Sequence, residues 1–267
     1  MTSAKYIIGL FLTAYCSLLT VHSYSEWLPE KKQLFKPFQA DQTQPSYVTR
    51  VSFPSGQGKR AEVNMGDEFG IYRGSLNGNS IQAGVMGGVA ARFDISRVTN
   101  DLEIADYSLA LPVDYALGGW AFRGMYWHTS SHIGDDYIRS RNVSVRKNVT
   151  DEIKFYASRD ITPQLLSLRL YAGGGYAFNY LPKRSGALRA HAGAEWYHAK
   201  GWFCAVDLQS LARLKYQPSL NARFGWRKHG RTGDFSIFGE FAAGHMPYLG
   251  FMEKKETRHT LGMMFEM

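Results

Sequence analysis

LSLRLYAGGGYAFN, from Leu166 to Asn179, alternates between two kinds of side chain. Its even-numbered positions are mostly leucine, alanine and aromatic residues, whereas its odd-numbered positions include Ser167, Arg169 and Asn179. Successive side chains of a β-strand point to opposite faces of the sheet. The stretch therefore predicts a strand with one apolar face and one polar face, lying between two different environments.

The same two-residue period recurs along the chain in segments of about 10 to 15 residues, separated by Gly, Pro and Asn clusters. An even number of strands returns both ends of a bacterial barrel to the periplasmic side. We therefore predict an all-β fold, an antiparallel up-and-down transmembrane β-barrel of about 12 strands with both termini periplasmic. The predicted strands lie near 46–53, 59–73, 79–94, 102–117, 120–132, 141–158, 165–180, 186–198, 202–212, 217–228, 234–244 and 257–267.

The alternation alone does not decide which face of the sheet is inside. In a soluble β-sandwich or lipocalin-like barrel the apolar faces would point inward. Three features favour the membrane barrel instead. The polar faces are rich in glycine and in charges of both signs, the apolar stripes run close to the full strand length, and the chain ends in its last strand.

The first 25 residues differ from the rest, because Lys5 is their only charged side chain and an apolar run from Tyr6 to Val21 follows it. Small residues around Ser23 complete the pattern of a secretory signal peptide. We predict a cleaved signal peptide at 1–25, an extended N-terminal segment at 26–45 that is periplasmic or inserts into the lumen, and an outer-membrane barrel at 46–267. The predicted location is the outer membrane of a Gram-negative bacterium.

Composition limits the partners. Loss of residues 1–25 would lower the net charge from +8 to +7, because only Lys5 is removed, and would leave Cys204 as the single cysteine. One cysteine forms no intramolecular disulfide. We expect outer-membrane lipids, lipopolysaccharide phosphates and the barrel assembly machinery as partners, and no nucleic acid; the sequence does not predict an oligomeric state.

Five segments resemble domain of unknown function family 1207, a set of bacterial outer-membrane proteins. The resemblance implies an outer-membrane barrel and no particular reaction. The segments are LFKPFQADQTQP (34–45), ARFD (91–94), DLEIADY (101–107), YWHTSSHIGDDYI (126–138) and LRLYAGGGYAF (168–178).

A fainter resemblance is to outer-membrane phospholipase A, which carries His-x-Ser-Asn-Gly on a barrel strand. His128 and Ser130 match His-x-Ser, whereas Ser131 and His132 stand in place of Asn and Gly, and no orienting Asn precedes His128. On a strand, residues i and i+2 share a face, so His128 and Ser130 are neighbours. Both are an even number of residues from Trp120, which we expect to face outward, so both should face outward too. An imidazole beside a hydroxyl is the minimum for serine activation. The other reading is a polar strand end that leads into a loop.

The rim patch around these residues also includes Ser131, His132, Gly134 and Tyr137. Asp135 and Asp136, together with His132, are candidate ligands for a hard cation. The alternative is a hydrogen-bonded cluster that anchors the loop around Gly134. We expect no cofactor, and calcium only if the hydrolase alternative holds.

We expect the charged residues on the polar faces of the strands to line the lumen. A barrel of about 12 strands has a narrow interior, so mutual ion pairing is favoured over a selectivity filter. These residues are Arg169, Arg189, Glu195, Asp207, Arg223, Arg227 and Glu240.

The leading functional interpretation is a non-enzymatic outer-membrane barrel of narrow or plugged lumen, with a structural, binding or small-solute role. One alternative is a membrane-embedded phospholipid or lipid A acyl hydrolase that uses His128 and Ser130. Another is a surface interaction protein that acts through its external loops.

Overall fold

The computed structural model describes residues 9, 13, 25–29, 33–142, 148–162, 166–181 and 188–266. The helix α1 spans Asp135–Arg141, and short 3-10 helices cover Ala212–Leu214 and Leu249–Phe251. The strands are β1 (Ser25–Trp27), β2 (Tyr47–Pro54), β3 (Arg60–Leu76), β4 (Asn79–Asp94), β5 (Asp101–Leu117), β6 (Trp120–Ile133), β7 (Asn148–Ile161), β8 (Leu166–Leu181), β9 (Leu188–His198), β10 (Trp202–Leu211), β11 (Ser219–His229), β12 (Asp234–His245) and β13 (Lys255–Glu266).

The predicted signal peptide, residues 1–25, lies outside the described residues apart from Gly9, Thr13 and Ser25. Across the part of the chain that the structure describes, no helix has the length and apolar character needed to cross a membrane.

Strands β2 to β13 form a closed ring. Each pairs antiparallel with the next along the chain, and the last strand, β13, pairs with β2 so that Leu261 lies opposite Val51. The prediction of a 12-stranded antiparallel up-and-down barrel is confirmed. The short strand β1 lies beside the ring and pairs with β3, where Ser25 is opposite Gly74.

The connections differ between the two ends of the barrel. At one end, called here the short-turn end, they span 77–78, 118–119, 199–201 and 230–233, and the facing ends of β7 and β8 also lie there. At the other, the long-loop end, they span 55–59, 95–100, 212–218 and 246–254, and the facing ends of β6 and β7 and of β8 and β9 also lie there. The first residue of β2 and the last residue of β13 both lie at the short-turn end, as two ends of an even-stranded barrel must.

Burial settles which face of the sheet is inside. Leu261 and Phe155 on the outer face are each 65% exposed, whereas Arg169 on the inner face is 1% exposed. A soluble barrel would have the reverse arrangement, because exposing a continuous band of large apolar side chains to water is unfavourable. The apolar faces therefore point outward, as in a barrel surrounded by lipid.

Of the strand predicted at 141–158, the described part is β7 from Asn148 onward, residues 143–147 lie outside the described residues, and Arg141 belongs to α1. This helix has Asp135 and Asp136 in its first turn and Arg139 and Arg141 in its last, which is the charge order that a helix dipole favours. It ends at Asn142, whose φ of 48° is left-handed. The helix lies almost entirely in the interval between the strands predicted at 120–132 and 141–158, where no regular element was predicted.

Residues 33–46, called here the lumen segment, run inside the barrel. Phe35, Phe38 and Ala40 are almost fully buried, with exposures of 1%, 5% and 0%. Of the two placements that the sequence left open for the N-terminal segment, the structure has this part of it in the lumen. The interior is consequently filled by chain from the same protein as well as by the side chains of the wall.

Candidate functional site

The outer face of β6 carries four polar side chains in succession toward the long-loop end: Tyr126, His128, Ser130 and His132. Their odd-numbered neighbours Trp127, Thr129 and Ser131 are buried in the lumen. The alternation of a strand thus separates the predicted His128 and Ser130 from the interior and places them on the outer wall.

Asp151 on β7 completes the arrangement. It lies directly opposite His128 in the antiparallel pair of β6 and β7, and its Oδ1 is 2.6 Å from His128 Nδ1. A carboxylate oxygen can only accept here, so Nδ1 carries the proton and Nε2 is left to accept one. Asp151 therefore fixes the imidazole in the tautomer and orientation that a general base requires.

Two further donors hold the Asp151 carboxylate. The Tyr126 hydroxyl donates to Oδ1 at 2.6 Å, and the Asn179 amide of β8 donates to Oδ2 at 2.5 Å. The ladder between β7 and β8 shifts register directly after Asp151, which leaves Phe178 as an extra residue. Asp151 is only 6% exposed although it points to the outer face, because these side chains surround it.

Ser130 is the remaining member of the predicted pair. Its hydroxyl lies 3.4 Å from Nε2 of His132, on the long-loop side, so its hydrogen bond is with His132 and not with His128. His132 is exposed, and its ring meets the ring of Tyr107 edge-on with 5.5 Å between centroids. Tyr107 is the residue of β5 directly opposite Ser130.

The rest of the predicted rim patch divides between two surfaces. Ser131 faces the lumen, where its hydroxyl accepts from the Gly250 amide at 3.1 Å. Gly134 donates its amide to the Glu103 carbonyl at 3.1 Å, and a Cβ there would collide with the carbonyl of Leu102. Tyr137 packs on Phe251 of the loop 246–254 at 5.1 Å between ring centroids.

The candidate metal ligands Asp135 and Asp136 are exposed on α1, and Asp136 pairs with Arg139 at 3.3 Å. Among the described residues, no group of three or more His, Cys, Asp or Glu side chains is placed to hold a metal ion.

The predicted lumen charges lie on the inner wall beside groups of complementary charge or polarity. Asp207 accepts hydrogen bonds from Tyr171 at 2.7 Å and from His191. A buried charge is tolerated only when it is paired in this way. The ion pairs are Arg169–Glu195 (3.3 Å), Arg189–Glu152 (3.1 Å), Arg223–Glu240 (2.7 Å) and Arg227–Glu266 (2.7 Å).

The same wall binds the backbone of the lumen segment. Arg169 donates to the carbonyls of Lys36 and Pro37 at 2.6 and 3.0 Å. Glu195 accepts from the Gln39 amide at 2.7 Å, and Asn221 donates to the Ala40 carbonyl at 2.5 Å.

Aromatic contacts hold the two phenylalanines of the lumen segment. The Phe38 ring stacks on Tyr171 at 4.2 Å and meets Tyr156 and His191 edge-on, each at 5.0 Å. The Arg169 guanidinium lies 5.0 Å from the ring of Phe35 and 5.4 Å from that of Phe38. The segment is therefore bound by both its backbone and its side chains.

Asp151 was not predicted from the sequence, because the resemblance implied an orienting residue before His128, whereas Asp151 follows His128 by 23 residues. The roles of Tyr126 and Asn179 were not predicted either. The alternation of side chains along a strand indicates that some outward-facing residue of β7 lies opposite His128. It does not indicate which one, because the register of the two strands depends on the length of the loop that connects them.

Comparisons with known proteins place this geometry in context. The model of the family described as "Protein of unknown function (DUF1207)" matches residues 11–225. No curated protein matches the chain. Outer membrane phospholipase A from Escherichia coli has a TM-score of 0.58 at 13% identity, over 83% of this chain and 92% of that one. The Salmonella typhi outer membrane phospholipase dimer with bound calcium has a TM-score of 0.60 at 13% identity, over 94% of this chain and 96% of that one. These likenesses show a shared fold, that of bacterial outer-membrane barrels.

Proposed function

The chain belongs to the DUF1207 family, whose description assigns no activity, and we propose that it is an outer-membrane hydrolase of lipid acyl esters. Ser130 is the nucleophile, His128 the general base and Asp151 the residue that orients it. The observation that carries the proposal is the 2.6 Å hydrogen bond between Asp151 and His128, directly beside an outward serine.

The barrel supports the proposed location. The apolar side chains on the outer face are suited to contact with lipid. Bacterial outer-membrane barrels have short turns on the periplasmic side and longer loops on the external side. The long-loop end is then extracellular, after export and removal of residues 1–25. Lipopolysaccharide and phospholipids surround the wall at the level of Ser130, whereas a water-soluble substrate has poorer access to this outward position.

The chemistry is a two-step acyl transfer. His128 Nε2 takes the Ser130 proton as Oγ bonds to the acyl carbon, and the ester C–O bond breaks as the leaving alkoxide receives that proton. Water then attacks the acyl-serine, gives its proton to His128, and the serine oxygen recovers a proton as the fatty acid leaves. Ser130 must first turn about χ1 toward His128, and resting enzymes often lack this bond before substrate binds.

Fatty-acid release by the refolded full chain tests the proposal. The substrates are phosphatidylethanolamine and lipid A in mixed micelles, and the variants are Ser130→Ala and His128→Ala. We expect each variant to lose about 1000-fold or more in rate. Ser210→Ala is the matched control, because Ser210 lies on β10 near the same end of the barrel, opposite Ala190. Equal release by wild type and Ser130→Ala would overturn the proposal.

A second function, passage of small solutes, is disfavoured by the lumen segment. Residues 33–46 occupy the interior and bind its charged groups, so the proposed resting state is a closed lumen. Planar-bilayer recording tests this point separately from hydrolysis. Discrete conductance steps from the wild-type protein would contradict it.

A further inference from the structure

Two histidines flank Ser130 on the outer face of β6, and their surroundings differ. His128 is held by Asp151, so its ring is fixed. The contacts of His132 are the Ser130 hydroxyl at 3.4 Å and the edge of Tyr107 at 5.5 Å. A donor–acceptor distance of 3.4 Å marks a weak hydrogen bond that is readily exchanged for a stronger one.

Position along the strand gives the two rings different neighbours in a bilayer. His132 is two residues from Ser130 toward the long-loop end, about 7 Å along the strand. His128 is the same distance toward the barrel centre. A lipid whose ester carbonyl meets Ser130 therefore has its acyl chain alongside His128 and its headgroup alongside His132.

We propose that His132, supported by Tyr107, is a headgroup subsite that selects lipids with a phosphate next to the ester. The inference rests on the proposed hydrolase function. Without phosphate, the Ser130 hydroxyl rests against His132, on the side away from His128. In the proposed resting state His132 carries a proton on Nε2 and donates it to the Ser130 hydroxyl. A phosphate oxygen is a stronger acceptor for that N–H than a serine hydroxyl. When it takes that N–H, Ser130 is released to rotate between staggered positions toward His128.

This arrangement makes His132 a specificity residue whose loss has opposite effects on two substrates. His132→Ala removes the phosphate contact, so cleavage of a phospholipid slows. It also removes the restraint on Ser130, so cleavage of an ester without phosphate is unchanged or faster. A purely structural role for His132 would instead lower both rates together.

The experiment compares a phosphatidylglycerol with the diacylglycerol that carries the same acyl chains. We expect the wild type to prefer the phospholipid by about tenfold or more, the difference that one hydrogen bond to a charged group makes. In His132→Ala the preference should fall to near unity, and His132→Gln, which retains an N–H donor, should keep part of it. A preference unchanged in His132→Ala, or an equal loss on both substrates, would overturn the inference.

Two further arms identify the source of the phosphate. Lipid A tests a second phosphate-bearing lipid, and inorganic phosphate added with diacylglycerol tests free phosphate. Stimulation by inorganic phosphate in wild type but not in His132→Ala means that the anion alone suffices. A retained preference without such stimulation assigns the effect to the headgroup.

A binding measurement separates this inference from the hydrolase itself. In Ser130→Ala with isotope-labelled histidine, the His132 ring resonances are followed as each lipid is added. A shift with phosphatidylglycerol and not with diacylglycerol supports the subsite even if wild type releases no fatty acid. Hydrolysis by wild type with no such shift leaves the hydrolase standing and removes the subsite.

Discussion

The Asp151 carboxylate and the His128 imidazole meet at 2.6 Å across two paired strands, on the outer face of the barrel. A carboxyl group on that face is unfavourable unless its oxygens are satisfied. Tyr126 and Asn179 supply the remaining donors, from two different strands. The hydrogen bonds of this cluster thus join side chains of three neighbouring strands, β6, β7 and β8.

Asp151→Asn should lower ester hydrolysis by about 100-fold or more, because an amide can donate to Nδ1 and favour the wrong imidazole tautomer. The side chain keeps its size, so the barrel should still migrate as a folded species in a detergent gel. Initial rates of fatty-acid release check the effect, with Ser210→Ala as the control. A wild-type rate in Asp151→Asn would show that His128 needs no orienting carboxylate.

The double change Phe35→Ala and Phe38→Ala should loosen the lumen segment. Each ring fills a buried aromatic site, and such a truncation costs about 3 to 5 kcal/mol in a packed interior. Discrete conductance steps in a planar bilayer are expected from the double variant. Phe69→Ala is the control, because Phe69 is an exposed phenylalanine of the outer wall. If the double variant folds but shows no conductance steps, the side chains of the barrel wall close the lumen without the two phenylalanine rings.

Arg169→Ala should lower the free energy of unfolding in urea by about 3 kcal/mol, since it leaves buried Glu195 without its cation. It also removes two donors to the lumen segment. Arg139→Ala, which alters an exposed pair on α1, should change stability by less than about 0.5 kcal/mol. Adding Glu195→Gln to Arg169→Ala removes the unpaired charge but keeps an acceptor for the Gln39 amide, so it should recover part of the loss. No recovery would assign the effect to the contacts that Arg169 makes with the lumen segment.

Gly134→Ala should disturb the long-loop end, because its Cβ would collide with the Leu102 carbonyl. We expect faster hydrogen exchange at the amides of α1 and a loss of about 1 to 3 kcal/mol. Gly239→Ala is the control, because the nearest atom to a Cβ there is 4.0 Å away. Unchanged exchange in Gly134→Ala would mean that the chain shifts to accommodate the methyl group.

The strands and their faces could be predicted from the sequence because a strand's two-residue period is local. The stripe through Leu166, Leu168 and Leu170 needs no knowledge of its neighbours. The partnership of His128 and Asp151 is different, since it depends on the register of a hairpin whose connection includes α1. A shift of one residue would have turned Asp151 into the lumen.

The lumen segment was beyond prediction for a related reason. Phe35, Phe38 and Gln39 show no strand or helix period, and both candidate surroundings, periplasm and polar lumen, suit such a sequence. What decides its position is a set of groups far apart in the chain, including Asp114, Glu195 and Asn221. Only the assembled wall brings them together.

The pairing of β13 with β2 has a consequence for the order of folding. The strand that closes the ring, β13, is far from the lumen segment in the chain, yet it pairs with β2, which directly follows that segment. Gln39 also donates to Glu266, at the end of β13. Contacts of such long sequence separation form late. The lumen segment can therefore make all of its contacts only once β13 is in place, and a chain truncated before β13 would leave both the seam and the interior unfinished.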